Sequence, residues 1–131
     1  MREHKYRACI APKTIIPFTL QDLVDPNRCS LFSFRELLLP WLRVGNKPDD
    51  YTGLKDKNGK EIYEGDILKT YKGIICKVYW SNSGASFMIA YTNIWTKRIG
   101  KLIYKKLMNW HTKCEIIGNI YENKELLDGK S

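Results

Sequence analysis

From Tyr51 onward the chain is broken by turn residues at short intervals: Asn58-Gly59, Gly65-Asp66, Lys72-Gly73 and Ser81-Asn82-Ser83-Gly84. The segments between them, 67–71, 74–80 and 85–91, are rich in β-branched and aromatic residues. Such runs bounded by Gly, Asn, Asp and Ser read as short strands joined by hairpins. Two more candidate strands follow at 99–107 and 115–121, and 122–127 fits one closing helical turn. Asn-Gly at 58–59 is the residue pair of a type I′ turn, because both positions tolerate positive φ. Strands recurring about every ten residues predict a mainly β (β-rich α+β) fold, with an antiparallel barrel or curled sheet over residues 49–131; Gly65-Asp66 opening a strand that a glycine turn joins to a second is similar to small SH3-like antiparallel barrels.

The first 48 residues have a different texture and are expected to form an N-terminal extension containing a short helix. Residues 5–10 (KYRACI) fit a strand ended by Pro12, whereas 15–26 hold two prolines and no clean period. Ser33-Phe34-Arg35-Glu36 matches a capping box, with Phe32 and Leu37 spaced as its hydrophobic staple. A helix over 33–39 would then be stopped or kinked by Pro40. Residues 45–50 (GNKPDD) read as the boundary loop.

The charge is unevenly placed. The 47 residues from Ile67 to Lys113 carry nine basic side chains and no Asp or Glu, while the other 84 carry 13 basic and 14 acidic ones. The whole excess of the +8 net charge therefore lies in one segment, which also holds eight of the aromatic residues. A segregated positive charge favours a polyanionic partner. No apolar run approaches the roughly 20 residues of a membrane-spanning helix, and the charged opening MREHKYRACIAPK has no apolar signal core. The expectation is a soluble, cytoplasmic protein with no membrane partner. Cys9, Cys29, Cys76 and Cys114 form no CxxC pair, so reduced and mostly buried thiols are expected.

Metal, phosphate-loop and catalytic signatures are all incomplete in this chain. A calcium-binding EF-hand loop fails in either register: starting at Asp56 places Glu61 where glycine is required, and placing Gly59 there makes Leu54 the first ligand. No G-x-x-x-x-G-K-[ST] leads into a helix, and His111-x-x-Cys114 alone is half a zinc site. Asp66 or Glu64 with His111, or Cys114 beside His111, would be the catalytic pairs, but only their coexistence in the chain supports them. No cofactor is implied. The segment 96–106 (TKRIGKLIYKK) supplies the candidate nucleic-acid contacts Lys97, Arg98, Lys101, Lys105 and Lys106, with exposed aromatics available to stack on unpaired bases. The competing reading makes these lysines guards of an edge strand and Trp80, Trp95 and Trp110 core residues.

Two segments carry a family resemblance: 51–69 (YTGLKDKNGKEIYEGDILK) and 116–123 (IIGNIYEN) closely resemble the hallmarks of the YopX-like family of phage and prophage proteins. Lys5 to Ala8 fits that family's basic opening, whereas residues 20–45, with FSFRELLLPWL, depart from its shorter pattern there. The resemblance implies a β-rich, cytoplasmic, self-associating phage or prophage protein and supplies no catalytic residues. Gly53, Asn58, Gly59, Gly65, Asp66 and Gly118 are then structural turn residues, with Ile62, Ile67, Ile116 and Ile120 as the core beneath them. Partners expected on this reading are nucleic acid, a host protein or further copies of the chain, with 32–42 as an apolar assembly surface.

Overall fold

A computed structural model describes residues 4–11, 14–91, 104–123 and 125–126 of the chain. The protein is mainly β, with two antiparallel sheets and only short helices. It divides into two compact units, Met1–Tyr51 and Thr52–Ser131, so the division falls inside the third strand. No helix among the described residues is long and apolar enough to cross a membrane.

In the first unit, β1 (Lys5–Ala11) pairs antiparallel with β2 (Thr14–Thr19) through Tyr6–Phe18 and Ala8–Ile16, and with the start of β3 (Asp49–Lys55) through Arg7–Asp49. β2 occupies a stretch whose prolines suggested irregular chain. Pro17 is accommodated because β2 is an edge strand, where a missing N–H is tolerated. Ile16 and Phe18 alternate inward and join Ala8, Phe34 and Leu38 in this unit's core.

The helical part of this unit corrects three expectations. The capping box is at Thr19, not Ser33: Thr19 Oγ1 accepts from the Asp22 N–H and the Asp22 carboxylate accepts from the Thr19 N–H, opening α1 (Leu20–Val24). After α2 (Pro26–Cys29), Ser33 caps nothing, and Glu36 instead accepts from the Arg35 guanidinium at 2.7 Å. Phe32 is 65% exposed, so it staples nothing. Nor does Pro40 stop the helix. Ser33–Leu38 winds as a wide π turn, with the Leu39 N–H bonded to the Phe34 carbonyl, and runs into α3 (Leu39–Arg43). Pro40 thereby falls in the first turn of α3, where its missing donor is tolerated. Phe34 and Leu38 are buried, and Leu37, Trp41 and Leu42 pack against them. Most of the apolar segment 32–42 thus serves its own unit's core.

In the second unit, β3 continues beside β4 (Glu61–Tyr63). A five-stranded sheet follows in the order β8-β7-β6-β5-β9, built from β5 (Asp66–Thr70), β6 (Ile75–Ser81), β7 (Ser86–Tyr91), β8 (Tyr104–Lys106) and β9 (Cys114–Asn119). Leu68, Cys76, Val78, Phe87, Ile89 and Tyr91 alternate toward one side of it and form a core with Ile62, Leu107 and Cys114. β8 ends at Lys106 because Leu107, fully buried, begins α4 (Leu107–Trp110), which leads through a 3-10 turn at His111–Lys113 into β9.

Two hairpins of this unit are built on one device. The loop after Asp56 closes by a bond between the Asp56 N–H and the Lys60 carbonyl, and the loop after Thr70 closes the same way onto Ile74. In the first, Asp56 Oδ1 accepts from the N–H groups of Asn58 and Lys60; in the second, Thr70 Oγ1 accepts from those of Lys72 and Ile74. Each loop of three residues ends in a glycine with positive φ, Gly59 (82°) or Gly73 (81°). Asn58 keeps a negative φ, so the 58–59 pair is not a type I′ turn. It belongs to the three-residue hairpin family, selected by an acceptor side chain two residues upstream of Asn58. In the connection between β6 and β7 the positive φ falls on Ala85 (48°).

The two hallmark segments are fastened together. Asp56 Oδ2 accepts from the Ile116 N–H at 3.0 Å, the Cys114 carbonyl from Lys57, and the Gly65 carbonyl from Ile120. Asn119 opposes Asp66 across the β5–β9 pair. Its amide oxygen accepts from the Tyr121 and Glu122 N–H groups, while Asn123 Oδ1 accepts from the Asn119 N–H. Asn123 lies over Gly118, so close that any Cβ at that position would overlap its side chain. Asp66, 2% exposed, accepts from the Tyr63 N–H at 2.8 Å. Gly53 (84°) and Gly65 (89°) also carry positive φ.

Candidate nucleic-acid interface

The register of the five-stranded sheet decides which basic residues can act together, because residues opposite one another on antiparallel strands share a face. On the side opposite Leu68, Cys76, Val78 and Ile89, one row runs Ile67–Lys77–Ala90–Tyr104, in which Ile67 and Ala90 are themselves buried, and the next runs Tyr79–Met88–Lys106. Lys69, opposite Ile75, begins a third. This side therefore presents Lys69, Lys77 and Lys106 with Tyr79 and Tyr104, whose rings meet edge to face at 5.8 Å. Burial raises the Tyr79 hydroxyl pKa, and Tyr104 adds to the effect. No described carboxylate forms an ion pair with any of the three lysines, although Glu115 on β9 lies opposite Lys69.

Of the contacts nominated from sequence, Lys105 and Lys106 are both exposed on the edge strand β8. They fall on opposite sides of it: Lys106 pairs with Met88 on the outer face, and Lys105 with Ile89 on the core side. Lys97, Arg98, Lys101 and Trp95 lie outside the described residues. Trp80 is not a core residue. It is 41% exposed, rests edge to face on Phe87, and donates through its indole N–H to Asn82 Oδ1.

A second basic-aromatic group sits where β5 leaves the sheet. Pairing of Thr70 with Cys114 brings Tyr71 beside Lys113, and Trp110 of α4 stacks on Tyr71 with ring centroids 6.2 Å apart and planes 20° apart. The Lys113 ammonium lies 5.4 Å from the Trp110 ring centre and 6.0 Å from that of Tyr71, and Lys72 lies 5.6 Å from Tyr71. Tyr71 is 60% exposed. The sequence shows these residues within the acid-free segment but not their meeting, which depends on the long-range β5–β9 register.

His111 and Cys114, the candidate catalytic residues, are engaged otherwise. His111 Nδ1 donates to the Lys55 carbonyl at 2.7 Å. The Cys114 thiol is fully buried, and burial followed by the charge of Asp56 pushes its pKa to about 11. Burial, with a smaller contribution from Cys114, takes Cys76 to about 12. Both thiols are protonated at neutral pH. Among the described residues no three His, Cys, Asp or Glu side chains come together as metal ligands would. Asp56 runs the other way. Burial opposes its ionisation, but the N–H groups of Ile116, Lys60 and Asn58 and the charge of Lys60 outweigh burial and hold its pKa below the usual aspartate value.

Compared with known proteins, the chain matches the family model described as YopX protein over residues 17–128. The match takes in residues 20–45, which the hallmark segments alone had left apart. No curated protein matches the chain.

Proposed function

The chain belongs to the YopX protein family, and from that membership and the surface just described we propose that its second unit is a non-enzymatic, nucleic-acid-binding module. In this reading the protein is a phage or prophage accessory factor of the host cytoplasm, its second unit a small SH3-like barrel whose outer sheet face meets the phosphate backbone. The observation that carries the proposal is the register placing Lys69, Lys77 and Lys106 on one side with Tyr79 and Tyr104. Lysine contacts to phosphate read charge, not sequence, and each releases a counterion. Three such contacts predict that log affinity falls against log salt with a slope of about −2 to −3. Binding of a labelled oligonucleotide followed by anisotropy at increasing salt tests this. An affinity that does not move with salt, or no binding at low salt, would sink it.

A second reading rests on the first unit, where Leu20, Val24, Leu31 and Phe32 are all exposed. Four exposed large apolar side chains within thirteen residues favour contact with another copy of the chain or with a host protein. Light scattering of the wild type against Val24→Asp with Phe32→Asp separates the two: a homo-oligomer built on this surface dissociates, whereas one built elsewhere keeps its mass.

A further inference from the structure

We propose that the Tyr71–Trp110 stack is a platform for an unpaired base, which makes single-stranded nucleic acid the preferred ligand of the second unit. The inference rests on the nucleic-acid reading above and adds a strand preference that lysines on a sheet face cannot supply. Tyr71 and Trp110 are nearly parallel and stacked at the end of the sheet. Trp110 packs by its inner part against the core, so the platform is anchored, while Tyr71 is 60% exposed. Lys72 and Lys113, both exposed, stand over these rings and pair with no described carboxylate.

An ammonium over an exposed ring gains little, because water competes for it. A base stacked on the same ring gains more and tolerates any sequence, since every base has a π face. On binding, the base takes the ring and the two lysines swing to the phosphates on either side of it. Neither group loses its partner in the exchange: the ring trades a cation for a base, and each cation trades a ring for a phosphate. A duplex offers only base edges, its faces being covered by neighbouring pairs, so it meets the lysines but not the platform. A cationic ligand would instead meet Lys72 and Lys113 at close range.

The test compares a labelled oligothymidylate with a labelled duplex of matched length, at one salt concentration, on the full chain. The wild type is expected to bind the single strand about tenfold tighter, and Tyr71→Ala to remove that margin while leaving duplex affinity unchanged. Tyr71→Phe, which keeps the ring, is expected to restore it. Trp110→Ala should act in the same direction, but its contact with the core makes Tyr71 the cleaner position. Equal affinity for both strands in the wild type, or an unaltered margin in Tyr71→Ala, overturns the platform while the electrostatic reading stands. Binding of neither nucleic acid at low salt overturns both.

Discussion

Replacing Asp56 with alanine withdraws one carboxylate from three backbone N–H groups, those of Asn58, Lys60 and Ile116. Asn58 and Lys60 are exposed loop residues, so water can take over their donors, and each loss resembles a lost helix cap at roughly 0.5–1 kcal/mol. The Ile116 donor lies within β9 and is only partly open to solvent. Leaving such a group without its charged acceptor costs roughly 1.5–3 kcal/mol. Relief from holding a charge at 5% exposure returns part of this. The net expectation is a loss of about 3 kcal/mol for Asp56→Ala. Asp56→Asn keeps one acceptor oxygen for the loop but turns an amide N–H toward Ile116, so about half that loss is expected. Urea unfolding followed by far-ultraviolet circular dichroism reads both values.

The pH dependence gives an independent check on the same carboxylate. Its folded pKa lies below the unfolded value of about 3.9, so its stabilisation is complete above that value and is lost as pH falls through the folded pKa. The gap between wild type and Asp56→Ala should therefore be widest at neutral pH and narrow below about pH 4. An alanine variant within about 0.5 kcal/mol of wild type at neutral pH, the ordinary scatter of surface substitutions, would refute this role of Asp56. So would a gap unchanged from neutral pH down to strong acid.

Gly118→Ala drives a Cβ into Asn123 and disturbs the bond Asn123 makes to the Asn119 N–H; a loss of roughly 1–3 kcal/mol in the same unfolding assay is expected. Ala85→Gly relieves a left-handed alanine at φ 48° and should raise stability by up to about 1 kcal/mol, read as a higher melting temperature. Thiol titration with a disulfide reagent at mildly alkaline pH should label the half-buried Cys9 and Cys29 in the native protein. Cys76 and Cys114, raised to about 12 and about 11, should react only after denaturant is added.

How much of this was legible in the sequence depends on the range over which each residue acts. Strands β5, β6, β7 and β9 follow from local composition, and Gly59 and Gly73 mark the β3–β4 and β5–β6 loops. The element that selects the turn type, an acceptor at Asp56 or Thr70, lies upstream of the conspicuous Asn-Gly and Lys-Gly pairs. The Ser33–Glu36 pattern forms no capping box because one needs the backbone to enter a helix at Ser33, whereas Phe32 is already helical; the box that does form, at Thr19, opens the separate helix α1. Pro17 argued against a strand because an edge position, where proline is harmless, is a property of the sheet and not of the segment. For the candidate interface, the acid-free segment was visible but its geometry was not. Lys105 and Lys106 are adjacent in sequence and face opposite sides of β8, and the Tyr71–Trp110 stack depends on which residue of β9 pairs with Thr70.

The central claim is that one side of the second unit's sheet meets nucleic acid, and a heteronuclear NMR titration with oligothymidylate tests it residue by residue. Progressive, salt-sensitive shifts at Lys69, Lys77, Tyr79, Met88, Tyr104 and Lys106, with Lys105 and the first unit unmoved, are the predicted result. Shifts confined to the first unit, or a spectrum unchanged by excess oligonucleotide, would contradict it.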